Sequence, residues 1–196
     1  YTAAVAGEHV VVVGPPGTAK SALVRAFAGT LDATYFEYLL SPYTEPNEIY
    51  GSLDMEAFKS GVYRRVVDGL LPTAQIAFLD EAFKANSAIL NSMLALLNER
   101  LYHNGGTAMA VPLQTAVLAS NELPQHENNP FWDRCLVRHV VLPLQHNHNR
   151  LAMLSGVLPA APAAGLATMQ DVQDLRETAA ALPVSQALVA QLIEVF

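Results

Sequence analysis

Three short stretches of the sequence hold residue types at spacings that could do chemistry. The first is Gly14-Pro15-Pro16-Gly17-Thr18-Ala19-Lys20-Ser21. It follows the G-x-x-x-x-G-K-[ST] pattern of a phosphate-binding loop, except that Ala19 stands where the last glycine is expected. Backbone N–H groups from Gly17 to Ser21 can form a nest for an anion, reinforced by the N-terminus of a helix opening at Lys20, Ser21 and Ala22. Lys20 can reach β- and γ-phosphates, and Ser21 can bind Mg²⁺. Ala19 fits the loop if its φ stays negative. The competing reading is an ordinary Gly/Pro turn between a strand and a helix.

The second stretch is Gln75 to Leu79, an apolar run that stops at two acids, Asp80 and Glu81. A strand emerging beside the phosphate loop would put Asp80 near Mg²⁺ and Glu81 near the γ-phosphate, where it can activate the attacking water. The third is Val117-Leu118-Ala119-Ser120, ending in Asn121. Asn121 could share that water with Glu81, or be a turn-forming Asn. Farther on, Phe131-Trp132-Asp133-Arg134 leaves two roles open for Arg134: a surface ion pair, or a finger supplied to a neighbouring subunit.

The elements that must position these residues can be read from periodicity. His9–Val13, Thr34–Leu40, Gln75–Leu79, Thr115–Ser120 and Arg138–Leu142 read as strands. Lys20–Leu31 reads as a helix with Leu23, Val24 and Phe27 on one face. Asn86–Arg100 is the clearest helix: Ile89, Leu90, Met93, Leu94, Leu96 and Leu97 follow the 3.6 period, with Asn86 or Ser87 as cap. Leu101–Leu113 reads as a hairpin turning at Asn104-Gly105-Gly106. Strands alternating with helices predict an α/β fold, a mostly parallel sheet covered on both faces. Ser41–Pro72 is a long polar stretch. The alanine- and proline-rich segment around Pro159 and Pro162 reads as a linker, and Leu182–Phe196 as the start of something helical.

Composition narrows the classes. The 196 residues are 52% hydrophobic and 15% charged, with net charge -7. That is too apolar for disorder. Its apolar runs are far shorter than a membrane span needs. The acidic balance disfavours nucleic acid as a partner, because a grip on phosphates needs clustered Lys and Arg. A single cysteine, Cys135, cannot pair internally, which favours a reducing compartment, the cytoplasm. His146 and His148 lack further ligands at metal spacing.

In order and spacing, several of these motifs together resemble the MoxR family of AAA+ ATPases, and most its RavA branch. The carriers are the loop Gly14–Ser21, Phe36-Glu37-Tyr38-Leu39, Phe78-Leu79-Asp80-Glu81, Ala88-Ile89-Leu90-Asn91, Leu97-Asn98-Glu99-Arg100, Ala119-Ser120-Asn121-Glu122-Leu123-Pro124, and Asp133-Arg134. They run from about Val5 to Leu142, and Ala19 matches that branch's own form of the loop. The resemblance implies a three-layer P-loop core at 1–148, with Ser41–Pro72 as a helix-2 insert and Leu101–Leu113 as a pre-sensor hairpin. A linker and partial helical lid follow at 149–196. It implies ATP or ADP with Mg²⁺ as the ligands and a homo-hexameric ring. Asn121 becomes the sensor-1 residue and Arg134 a finger acting in trans. Protein clients are implied too, beside a von Willebrand factor A domain partner. The function expected is ATP-driven remodelling. A nucleotide-gated scaffold with slow hydrolysis uses the same motifs, and a P-loop kinase would need a more basic lid than Arg176 alone supplies.

Overall fold

The computed structural model describes residues 1–123, 132, 134–156, 163–187 and 191. The elements in chain order are α1 (Thr2–Ala6), β1 (Val10–Val13), α2 (Lys20–Thr30), β2 (Tyr35–Leu39), α3 (Pro46–Tyr50), α4 (Met55–Lys59), β3 (Ile76–Asp80), α5 (Ser87–Glu99), β4 (Leu101–Asn104), β5 (Thr107–Ala110), β6 (Thr115–Ser120), β7 (Val137–Val140), α6 (Asn147–Leu154) and α7 (Met169–Ala180). Five strands form one sheet in the order β2-β3-β6-β1-β7. Every pairing in it is parallel. The chain leaves β1, crosses to the far edge at β2, and returns inward through β3 and β6. Ligands in such sheets bind beyond the carboxyl ends of the strands, where the strand order reverses.

Alternation along the strands builds two cores. In β3, Ile76 and Phe78 face one side while Ala77 and Leu79 face the other, all fully buried. In β6, Val117 and Ala119 oppose Ala116 and Leu118 in the same way. The first side packs against Val24, Ala28 and Leu31 of α2 and its C-terminal turn, together with Ala4 of α1 and Val172 of α7. The second side packs against Ile89, Met93, Leu96 and Leu97 of α5. Strands buried on both faces are apolar throughout, which is why they read as runs rather than as alternating patterns. Each large side chain buried this way contributes roughly 1.5–3 kcal/mol. The result is the α/β three-layer arrangement expected from the sequence.

Several local expectations are adjusted. Leu23 does not join the inner face of α2: it is 70% exposed, and Val24 and Ala28 are the buried positions. Asn86 is the cap of α5, its side chain accepting the Ile89 N–H at 2.9 Å. The stretch 41–72 is not simply polar. It folds into α3, α4 and a 3₁₀ turn at Leu71–Thr73, and buries Ile49, Tyr50 and Leu71. The hairpin turns at Gly105-Gly106 as expected. It is tied to the insert by Asn104, whose side chain accepts the Arg65 N–H at 2.6 Å and donates to the Arg65 carbonyl at 3.0 Å. After α6, the chain returns to the core: Gly165 and Ala167 donate backbone N–H bonds to Gly29 and Thr30 at 3.0 and 3.1 Å. Most of Leu182–Phe196, together with Pro124, His126, Phe131, Asp133, Pro159 and Pro162, lies outside the described residues. No helix among the described residues is long and apolar enough to cross a membrane.

Candidate functional site

The loop Gly14–Ser21 joins β1 to α2 at the carboxyl edge of the sheet. Its start is fixed by pairing: the Gly14 N–H donates to the Ser120 carbonyl at 3.0 Å, and the Val141 N–H to the Val13 carbonyl at 2.7 Å. Gly14 is required by closeness, since a Cβ there would stand 2.4 Å from the Val141 carbonyl oxygen. The Thr18 hydroxyl closes the loop on the Pro15 carbonyl at 2.9 Å.

Ala19 corrects the expectation of a negative φ. It sits at φ 58°, ψ 29°, in the left-handed region. Gly17 is also positive, at φ 78°, while Thr18 between them is not. Alternation of hand makes successive N–H groups converge, which is the geometry of an anion nest. The loop therefore needs a left-handed residue just before the helix, and Ala supplies it at a cost of roughly 1–2 kcal/mol relative to an unstrained backbone.

Lys20 is buried. Its Nζ donates to the Gly14 carbonyl at 2.7 Å, the Pro15 carbonyl at 3.1 Å and Asn121 Oδ1 at 3.1 Å. Asn121 Nδ2 in turn donates a short hydrogen bond to Glu81 Oε1. One side chain from the start of α2 and two from the ends of the neighbouring strands β6 and β3 thus form one continuous chain. Glu81 is itself left-handed, at φ 52°, ψ 38°. Its Oε2 is buried and accepts no hydrogen bond, yet Lys84 Nζ lies 3.3 Å away as an ion pair without hydrogen-bond geometry. Asp80 Oδ1 accepts the Glu81 N–H at 2.9 Å. A strained backbone and a buried polar atom left unused are features found where chemistry sets the structure; Arg100 shares both at the opposite end of the sheet, and what sets Glu81 apart is its place beside Lys20 and Asn121.

Ser21 opens α2, and Asp80 ends β3, with β6 between their strands. A hydroxyl and a carboxylate are hard oxygen donors of the kind Mg²⁺ takes. Mg²⁺ is usually held by one or two carboxylates plus substrate phosphates rather than by a full protein cage. Among the described residues no cluster of three or more His, Cys, Asp or Glu could hold a metal ion. One hydroxyl and one carboxylate fit an ion that takes its other ligands from phosphate and water.

Sequence reasoning missed the wall beside the loop. A cavity of about 590 Å³ is lined by Pro15, Pro16, Gly17, Thr18 and Ala19 on one side, and by Val141, Leu142, Leu144, Arg150, Met153 and Leu154 on the other. That volume is in the ~300–1,000 Å³ range of small-molecule sites. Its only charged member among the described residues is Arg150, whose Nε is occupied by the Leu144 carbonyl at 2.7 Å. The available signal was Arg150, Met153 and Leu154, at the i, i+3, i+4 spacing of one helix face.

Arg134 lies outside the Lys20–Asn121–Glu81 chain. It is exposed, and follows Trp132 and precedes the buried Cys135. Trp132 is clasped by Arg138, whose guanidinium stands 4.5 Å from the indole centroid and donates to the Trp132 carbonyl at 2.7 Å. Trp132 also meets Phe83 edge-on. Both neighbours of Arg134 in the described chain are thus anchored while Arg134 faces outward. Burial pushes the Cys135 thiol up to about 12, so it is not a nucleophile at neutral pH. Arg176 is turned away from the phosphate loop, its Nε donating to the Val5 carbonyl at 3.0 Å. His103, His139, His146 and His148 are exposed. His9 is buried, its Nε2 3.0 Å from the Leu97 carbonyl and its Nδ1 accepting the Ala116 N–H at 3.0 Å.

Comparison with known proteins identifies the family. Residues 1–179 match bpMoxR, the MoxR domain in the MoxR-vWA-beta-propeller ternary systems. An uncharacterized protein of Methanocaldococcus jannaschii is 43% identical over 178 residues, covering 90% of this chain and 47% of that protein. Chaperone MoxR1 of Mycobacterium tuberculosis is 28% identical over 195 residues, covering 95% of this chain and 50% of that protein. The chain thus spans about half the length of these relatives. A crystal structure of a Cytophaga hutchinsonii protein, described as a candidate ATPase, superposes with TM-score 0.77 at 18% identity. It covers 98% of this chain and 59% of that one, a likeness that speaks for the fold. With the family match spanning nearly all of the chain, the protein belongs to the MoxR family of AAA+ ATPases, as a bpMoxR domain.

Proposed function

We propose that the chain is the nucleotide-binding core of an ATPase that hydrolyses ATP and uses the energy to remodel or mature partner proteins. The observation that carries this is the Lys20–Asn121–Glu81 chain across the carboxyl ends of β1, β6 and β3. It links a phosphate-binding cation to a carboxylate through an amide, so that one side chain can report to the other. In this reading the phosphates lie on the nest from Gly17 to Ser21, extended by the N-terminus of α2 at Ala22. The nucleoside occupies the apolar cavity between Pro16 and Leu154.

The Ser21 hydroxyl and the Asp80 carboxylate would hold Mg²⁺, which would neutralise phosphate charge. Glu81 takes a proton from water as the water oxygen bonds to the γ-phosphorus. The bond from that phosphorus to the bridging oxygen breaks, and ADP and inorganic phosphate leave. Asn121 orients the carboxylate and the water. Arg134, exposed between anchored neighbours, completes the site of the next subunit in a ring, which we take to be a homo-hexamer. The assembly would be cytoplasmic. The core comprises 1–148, with 41–72 and 101–113 as insert and hairpin, and 149–196 forms the linker and the first part of the lid. The family description supports a von Willebrand factor A domain partner. Within the family, Ala19 in the loop is the feature that favours the RavA branch.

The test uses the intact protein. Glu81→Gln should bind ATP and lose turnover, and retained turnover would remove Glu81 from the mechanism. Arg134→Ala and Lys20→Ala subunits should each be inactive alone and recover part of the activity when mixed. No recovery would rule out action in trans.

A further inference from the structure

The carboxylate of Glu81 has a second anchor. We propose that Lys84 is a positioning residue for Glu81: it holds Oε2, so that Oε1, the oxygen shared with Asn121, is the one that meets water. This rests on Glu81 being the base.

The backbone sets up the pairing. Glu81 leaves β3 in the left-handed region and enters a 3₁₀ turn over Ala82–Lys84. The turn is closed by the Lys84 N–H donating to the Glu81 carbonyl at 2.8 Å. Side chains at i and i+3 of a 3₁₀ turn eclipse each other, so Lys84 folds back over Glu81. The two partners are unlike in burial: the Lys84 side chain is 54% exposed and that of Glu81 13%. An exposed pair contributes little, but here one end is an oxygen shielded from water that accepts no hydrogen bond. Nζ of Lys84, at 3.3 Å, is the cation facing it.

The torsion that turns a Glu carboxylate is soft and broad. One fixed oxygen, at Asn121, leaves the plane free to rotate; two fixed oxygens define it. Seen whole, the polar chain runs cation, amide, carboxylate, cation: Lys20, Asn121, Glu81, Lys84. When Lys20 turns to a phosphate and Asn121 to water, Lys84 is the contact that keeps Glu81 in place. Small misplacement of a catalytic group has large cost, up to about a hundredfold in rate per ångström. A flexible, solvated lysine stem gives an intermediate effect.

The experiment compares Lys84→Met, which keeps the apolar stem and removes the charge, with Lys84→Arg, in the intact protein. It measures kcat, KM for ATP, affinity for ADP, and affinity for ADP with aluminium fluoride, a mimic of the phosphoryl group under attack. Lys84→Met should lower kcat about tenfold and weaken the aluminium fluoride complex by a similar factor, leaving KM and ADP affinity unchanged. Lys84→Arg should recover most of both. In a Glu81→Gln background, Lys84→Met should have no further effect. Turnover and analogue affinity within about twofold of the parent would overturn the proposal. An equal loss in ADP affinity would also overturn it, by making Lys84 a residue of the fold. Glu81→Gln run alongside separates the failures. If it is inactive and Lys84→Met is normal, only the role of Lys84 falls. If it retains turnover, the base assignment falls and takes this proposal with it.

Discussion

The two ends of the parallel sheet both carry buried polar side chains, and they use them in opposite ways. At the amino end the groups bond to backbone. His9 joins the Leu97 carbonyl and the Ala116 N–H. The Thr115 hydroxyl donates to the Glu8 carbonyl at 2.7 Å, Gln114 to the Ala4 carbonyl at 2.6 Å, and Arg100 Nη2 to the Gly7 carbonyl at 2.8 Å. These bonds tie α1, β1, α5 and β6 into one unit. At the carboxyl end Lys20, Asn121 and Glu81 bond to one another, and the backbone bonds of Lys20 go to Gly14 and Pro15 of its own loop. Left-handed residues stand at both ends, Ala19 and Glu81 here and Arg100 there. A polar group that joins the backbone of distant segments is replaceable only at the expense of folding. A polar group that satisfies another side chain can be released by a ligand. The amino end holds the sheet together, and the carboxyl end keeps its charges exchangeable.

The largest test of this contrast is at the carboxyl end. Glu81→Gln should cost about 10²–10⁴ in turnover, the usual worth of a general base, with a melting temperature near that of the parent. A variant that also unfolds would mean both ends serve the fold, and the distinction would collapse. The matching change at the amino end is His9→Ala. It strands a buried carbonyl and a buried N–H and opens a cavity, so it should lose about 2–4 kcal/mol in urea unfolding. Turnover per folded molecule should hold.

Next in size is a pH effect confined to the amino end. Burial, and secondarily the charge of Arg100, hold the His9 imidazole down to about 4 from an ordinary 6.5. Its two bonds fit the neutral ring with the proton on Nε2. The unfolded chain takes up a proton near 6.5 and the folded chain only near 4. His9's contribution is therefore fully present above the unfolded value and is lost as pH falls from there toward the folded one, by at most about 3 kcal/mol. Carboxylates titrate in the same range, so the check is a difference: stability against pH for the parent minus that for His9→Gln. A difference that does not change between pH 7 and pH 4.5, roughly the window of the shift, would remove His9 as the cause.

The contrast also explains what could be read without coordinates. The strands and α5 were legible because burial on both faces forces apolar runs and a 3.6 period, and Ile76–Leu79 and Ile89–Leu97 obey both. Asp80, Glu81 and Asn121 were legible as types at strand ends, and Lys20 as the lysine of a loop pattern that opens a helix. What was hidden depends on pairing between distant segments. Nothing near His9 in sequence says that Leu97 and Ala116 will close around it. Nothing in the loop says that Val141 and Leu154 will wall it, because α6 looks like an ordinary polar helix until the cavity is seen. The backbone of Ala19 was misjudged for a different reason. The residue type argues for negative φ, while the nest demands the opposite sign, and the nest prevails.

That conflict supplies the smallest prediction. Ala19→Gly restores the residue the loop geometry prefers. It relieves roughly 1–2 kcal/mol of left-handed strain and gives back roughly 0.4–1 kcal/mol through the looser unfolded chain. The net should be a gain of up to about 1.5 kcal/mol, a melting temperature a few degrees higher, and nucleotide affinity within about twofold of the parent. The sign matters more than the size. A stabilised protein with unchanged binding would show that Ala19 is strain tolerated at the carboxyl end. A stabilised protein with weakened binding would show that the strain holds the nest open for phosphate. A destabilised one would mean that the Ala19 methyl group packs in the loop, and the carboxyl end would then resemble the amino end more than its backbone indicates.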